Sequence, residues 1–201
     1  KVAIQGLSRE AADYYERPLA ILPEGKDEPA RLGLLLSLGT ITLGRGDFPK
    51  SLSTLELALN LARTMDNPAS QAKALSLLSQ VETFQGDYAR ALSHLDEALP
   101  LARASGDQAA LANVLYGLAN VHFRIGNYQE GTQSAKESIE LARTLGDDGL
   151  LVQAQNRLGT LYDQGGNFEA GRREYESGLE LARRIGHRRL ENTLLSNLGF
   201  L

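Results

Sequence analysis

The chain has 201 residues, 42% of them hydrophobic, and a mean hydropathy of -0.25, a balance too apolar for a disordered segment. Its net charge of -4 supplies no basic field for phosphate, which argues against a nucleic-acid partner for this segment, and the lack of Cys excludes disulfides and thiol chemistry. The longest uncharged apolar run, residues 32–43, falls short of the ~20 residues that cross a membrane, so no membrane partner is expected.

In chain order, residues 6–25 read as the second half of a repeat: Ala11, Ala12, Tyr15, Leu19 and Leu22 recur at helical spacing, and Pro18 predicts a kink or break. A Pro/Gly-containing loop follows, and regular units then span 29–66, 69–106, 109–146 and 149–186, each built from two helices. The first helices are predicted over about 29–45, 68–85, 108–125 and 148–164, the second over about 48–65, 88–105, 128–145 and 168–185. Pro29 and Pro68 fall in first turns, where a missing N–H costs little, whereas Pro100 lies inside a helix and is expected to bend it. Residues 188–201 form the first helix of one more unit, so the chain reads as one solenoid domain and as a segment of a longer protein.

Two landmarks fix the period. The turn Gly126-Asn127-Tyr128 recurs as Gly46-Asp47-Phe48, Gly86-Asp87-Tyr88 and Gly166-Asn167-Phe168, always in steps of 40. Arg63, Arg103, Arg143 and Arg183 end Leu-Ala-Arg tripeptides in the same step, near helix C-termini that favour a cation. In each turn Gly should close one helix in a left-handed conformation, Asp or Asn should cap the next, and the aromatic ring should plug the gap between them. Small residues recur where helices cross closely: Gly39, Ser79, Ala119, Gly159 and Gly199 on first helices, then Ser51, Ala91, Gly131 and Gly171, with Ala58, Ala98, Ser138 and Gly178, on second helices. A helical glycine costs up to ~1 kcal/mol against alanine, so this recurrence implies a packing reason.

A search for chemistry finds none. His94, His122 and His187 lack paired ligand spacing, no carboxylate pair is placed by the repeat, and Gly165-Gly166-Asn167 lacks the Lys and Ser/Thr of a phosphate loop. The expectation is therefore a non-enzyme without cofactor or metal.

These residues resemble tetratricopeptide repeats. The family's Trp, Leu-Gly and Tyr positions are echoed by Leu35, Leu38-Gly39 and Thr42, by Leu115, Leu118-Ala119 and His122, and by Gln155, Leu158-Gly159 and Tyr162. The period of 40 departs from the common 34 and is similar to the long-repeat branch of spindle-orientation adaptors and bacterial regulators. The resemblance implies an all-α fold, a right-handed superhelical α-solenoid of stacked antiparallel helix pairs, and a function in binding protein or peptide.

In that family the first helices line the concave face. The resemblance places Gly33, Leu36, Thr40 and Leu43 there, with Lys73, Ser76, Gln80 and Thr83 from the second unit. Asn113, Tyr116, Asn120 and Phe123 follow in the third, and Gln153, Asn156, Thr160 and Asp163 in the fourth. The peptide-binding candidates among them are Lys73, Gln80, Thr83, Asn113, Tyr116, Asn120, Phe123, Gln153, Asn156 and Asp163. Carboxamides suit a peptide backbone because they donate and accept together, and the two rings could act as anchors. The leading expectation is a cytoplasmic, non-catalytic scaffold holding an extended peptide or partner helix. The alternative is the sensor arm of a larger bacterial signalling protein, and homodimerisation through exposed Leu194, Leu195, Leu198 and Leu201 is a further expectation.

Overall fold

The computed structural model describes residues 25–200, so the expected half repeat and the Pro18 kink lie outside the described residues. Among the described residues all regular structure is helical: α1 (Glu28–Gly44), α2 (Phe48–Thr64), α3 (Pro68–Gln85), α4 (Tyr88–Ser105), α5 (Gln108–Ile125), α6 (Tyr128–Leu145), α7 (Asp148–Gln164), α8 (Phe168–Arg184) and α9 (Arg188–Phe200). Each begins and ends within one residue of its expected bounds, because caps and stops are written into the repeat. Helix α4 continues through exposed Pro100, which has no N–H to offer the carbonyl of Asp96.

Both helix starts follow the 40-residue step. Asp27, Asn67, Asp107 and Asp147 cap the first helices by accepting from a backbone N–H three residues on, and in the same register the Leu190 N–H donates to His187 Nδ1 at 3.3 Å. Asp47, Asp87 and Asn167 do the same for second helices, while Asn127 makes no side-chain cap bond. The stops are equally regular: φ is +84° at Gly86 and +70° at Gly106, with equivalent glycines alike. Asp66 alone breaks the rule among the described residues, standing at φ 48° where later units have glycine.

The chain divides into two compact units at Gly106 and Asp107. In the first, α1 to α4 pack each on the next, and the first helices α1 and α3 also touch. The second repeats this with α5 to α9, its first helices α5, α7 and α9 lying side by side. Crossings obey a rule of matched volumes. A Cβ added at Gly39 would meet Leu55 at 2.4 Å, and one added at Gly159 would meet the Tyr175 ring at 2.5 Å. The helix backbones are close enough for Ser51 Oγ to donate to the Gly39 carbonyl at 2.9 Å, and for Ser138 Oγ to reach that of Ala112 at 2.9 Å. Glycine is retained there because the large residue 16 positions later fills its place; at Ala119 that residue is Ala135.

The turn aromatics do not all plug the gap between helices as expected. Phe48 stacks on Phe84 with centroids 5.9 Å apart, and Tyr128 tilts against Phe123 at 6.3 Å, but Phe168 is 60% exposed and plugs nothing. Leu194 likewise departs from its expected exposure. It is fully buried in a cluster with Val152, Tyr175 and Leu179, and Leu195 is the exposed residue of that pair.

Candidate first-helix binding face

The expected stripe on α5 and α7 lies within the second unit. Asn113 is exposed and its Nδ2 donates to the Ala109 carbonyl at 2.8 Å; Gln153 Nε2 donates to that of Gly149 at 3.2 Å. Both amides therefore rest on their own helices. Asn120 and Asn156 instead bridge helices. Asn120 Oδ1 accepts from Arg157 Nε at 2.6 Å, joining α5 to α7, and Asn156 Oδ1 accepts from Asn197 Nδ2 at 2.8 Å, joining α7 to α9. Tyr116 and Phe123 are half-buried against the apolar core. Asp163 turns inward, where its Oδ2 accepts from the Tyr175 hydroxyl at 3.3 Å, and Thr160 Oγ1 donates to the Asn156 carbonyl.

The first unit carries a poorer stripe. Lys73 and Thr40 are exposed, Gln80 is half-buried, and Thr83 Oγ1 donates to the Ser79 carbonyl at 2.7 Å. Leu36, Leu43 and Ser76 are buried, so the groove-facing row expected on α1 and α3 is interrupted. Helical packing won over register at those sites, since apolar Leu36 and Leu43 gain by leaving water.

The residue that sequence reasoning missed is Arg157. Its guanidinium carbon lies 4.5 Å from the Phe123 ring centroid, with that of Arg124 6.0 Å from the same centroid. Burial lowers the pKa of Arg157; Tyr116 opposes that shift, Arg124 adds to it and Tyr175 opposes it. Arg157 and Asn197 occupy one repeat position, 40 residues apart, next to the packed Leu158 and Leu198. A charged residue at a position that holds Ser37, Leu77 and Gly117 in earlier units is the signal that could have found Arg157.

A second feature belongs to the first unit. A cavity of about 470 Å³ is lined by α2, α3 and α4, where buried Glu82 holds His94 Nδ1 at 2.8 Å and Arg63 pairs with Glu97 at 2.6 Å. No group of three or more His, Asp or Glu suited to a metal ion is found among the described residues, and no helix there is long and apolar enough to cross a membrane.

Among solved structures, a Rap protein complexed with Competence and Sporulation Factor is similar at a TM-score of 0.83 and 18% identity, over 94% of this chain and 53% of that one. A Rap conjugation gene regulator of the plasmid pLS20, in complex with the Phr peptide, gives 0.82 and 16%, over 95% and 53%. A signal transduction ATPase with numerous domains and a tetratricopeptide repeat sensor, from Pyrococcus horikoshii, gives 0.75 and 17%, over 98% and 31%. The chain thus spans about half of each Rap protein and about a third of the ATPase, and these likenesses show the fold alone. No curated protein sequence matches it significantly. The tetratricopeptide repeat profile matches residues 30–104 and 108–184, three quarters of the chain in phase with the helix pairs described above, and the chain belongs to the tetratricopeptide repeat family.

Proposed function

We propose that the chain is a non-catalytic scaffold that holds an extended peptide or partner helix against its first helices. The observation that carries this reading is the face of α5 and α7, where Asn113, Asn120, Gln153 and Asn156 interleave with half-buried Tyr116 and Phe123. Amides there offer donors and acceptors to a backbone, and the rings offer apolar area already fixed in place, so little ordering entropy opposes binding. Lys73, Gln80, Thr83 and Asp163 stand behind these as secondary candidates, Asp163 least, because it faces Tyr175. The Rap neighbours solved with a bound factor or peptide support the same reading by analogy of fold.

The test is a pull-down from the source cell's lysate with the intact segment and an Asn113→Ala, Tyr116→Ala, Asn120→Ala variant of verified helical circular dichroism. The expected outcome is a protein or peptide partner retained by the first and lost by the second. Equal retention by both would refute the assigned face. A second reading, a sensor arm in a larger signalling protein, is favoured by the sensor role named for the Pyrococcus horikoshii neighbour. It requires an ATPase, cyclase or DNA-binding domain encoded in the same gene.

A further inference from the structure

Helices α2 and α4 both pack on α3, and the cavity of about 470 Å³ lies in the trough between them, within the ~300–1,000 Å³ typical of small-molecule sites. Leu52, Leu59 and Leu78 give it apolar walls. On α3 stands Glu82, only 3% exposed, a carboxylate that needs a cation or donors to remain there. Its Oε2 accepts from His94 Nδ1 at 2.8 Å, whereas Oε1 has no protein partner among the described residues and is not sealed from solvent. The arginines of the cavity are engaged elsewhere: Arg63 pairs with Glu97 at 2.6 Å and Arg90 reaches Asp87 at 4.0 Å. Glu56, exposed in the same trough, has no ion pair among the described residues. Eighty residues on, the chain supplies the missing cation itself. There α6 and α8 flank α7 in the same way, Lys136 takes the place of Glu56, and its ammonium lies 5.6 Å from the ring centroid of Tyr162, which takes the place of Glu82. Half-buried Glu174, in the place of His94, has its carboxyl raised by burial, and Arg143, Arg173 and Lys136 oppose that shift. Of those three cations the first unit keeps only Arg63, since Ser93 and Glu56 replace the others.

We propose that the trough between α2 and α4 binds a primary alkylammonium, its charged end on Glu82 Oε1 and its stem along Leu52, Leu59 and Leu78. Such a stem gains by lying on apolar surface while its head keeps a polar partner. An ammonium fits better than a guanidinium, because His94 occupies one Glu82 oxygen and leaves a single acceptor where a planar fork needs two. Glu56 adds a second negative charge, and the chain's net charge of -4 draws cations toward it. The ammonium comes from a lysine of a partner polypeptide or from a free amine, and the chemistry at Glu82 is the same. The site uses no residue of the α5 and α7 face, so it stands or falls independently of the scaffold reading.

Two pairs of probes separate these sources: pentylamine against pentanol, and a lysine-containing Ala/Gly peptide with acetylated N-terminus and amidated C-terminus against the same peptide with its lysines acetylated. Titrations followed by backbone amide NMR shifts should show an amine bound about tenfold more tightly than its neutral counterpart, with the shifts centred on α2, α3 and α4. The tighter of the two amines identifies the source. Glu82→Gln, with helical circular dichroism retained, should reduce that preference to about twofold or less, and Glu56→Gln should weaken it partially. Glu169→Gln, which removes the same charge at an exposed position of the second unit, should leave it unchanged. Absence of binding, equal binding of charged and neutral probes, or shifts centred outside these helices overturns the proposal. A preference that survives Glu82→Gln also overturns it, as does, should that variant fail to fold, one that Glu56→Gln and Glu169→Gln alter equally.

Discussion

At the scale of single residues, the repeat makes exceptions informative. Asp66 occupies the junction position that Gly106, Gly146 and Gly186 fill later, and its φ of 48° places a Cβ in the left-handed region. That conformation costs an L-residue roughly 1–2 kcal/mol, less for Asp, while glycine adopts it freely at the expense of a more flexible unfolded chain. Asp66→Gly should therefore stabilise the protein by about 0.5–1 kcal/mol, seen as a higher urea midpoint with an unchanged slope. A lower midpoint would mean that the Asp66 side chain makes an interaction that outweighs its strain. His187 is the complementary case. The sequence assigns it no chemistry, and its place in the series Asp27, Asn67, Asp107 and Asp147 makes it a helix cap.

At the scale of helices, the crossing positions were legible as small residues, but their partners were not. Gly159 and Gly199 share a repeat position, yet Gly159 faces the Tyr175 ring and Gly199 has nothing within 4 Å of an added Cβ. Gly159→Ala should cost about 1–3 kcal/mol by overpacking, and Gly199→Ala should be neutral or stabilising by up to about 1 kcal/mol through helix propensity. Urea denaturation of the two variants checks the contrast; similar midpoints would refute the packing account. Tyr175 gives a second handle on the same crossing. Burial chiefly raises its phenol from 10.0 to about 12, with the Asp163 carboxylate adding to the shift and Thr160 opposing it. A group whose folded pKa is raised contributes stability that is fully present below pH 10 and is lost as pH climbs through about 12. The wild-type urea midpoint should therefore fall across that window more steeply than that of Tyr175→Phe. Parallel slopes would show that the phenol ionises as freely in the fold as outside it.

The helix ends were readable from sequence because each cap or stop depends on one residue type in one backbone conformation, as at Asp47 and Gly86. The inner face was only half readable. Periodicity identified which side of α5 and α7 holds Asn120 and Asn156, but whether an amide lies along its own helix or reaches the next depends on the neighbouring helix. Arg157 and Asn197 supply those neighbours from a position that in earlier units carries Ser37, Leu77 and Gly117. A stripe drawn for one helix at a time omits them. Ser76 failed for a related reason, since its place on a packed helix buries it although its register put it in the groove.

At the scale of the whole molecule, the question is how far stability is shared. The 40-residue step runs without a gap from Gly46 to Gly166, and it passes Gly106 and Asp107, where the chain divides into compact units, with the same stop and cap found at Gly146 and Asp147. In a solenoid each unit draws stability from its neighbours, so we propose that the sequence specifies one domain despite the division. Amide exchange in α5 and α6 should then be slower in the full chain than in a fragment beginning at Asp107, by a factor reflecting the lost neighbour. Equal exchange rates would make residues 107–201 a domain in its own right, and binding on the α5 and α7 face would then be a property of that unit alone.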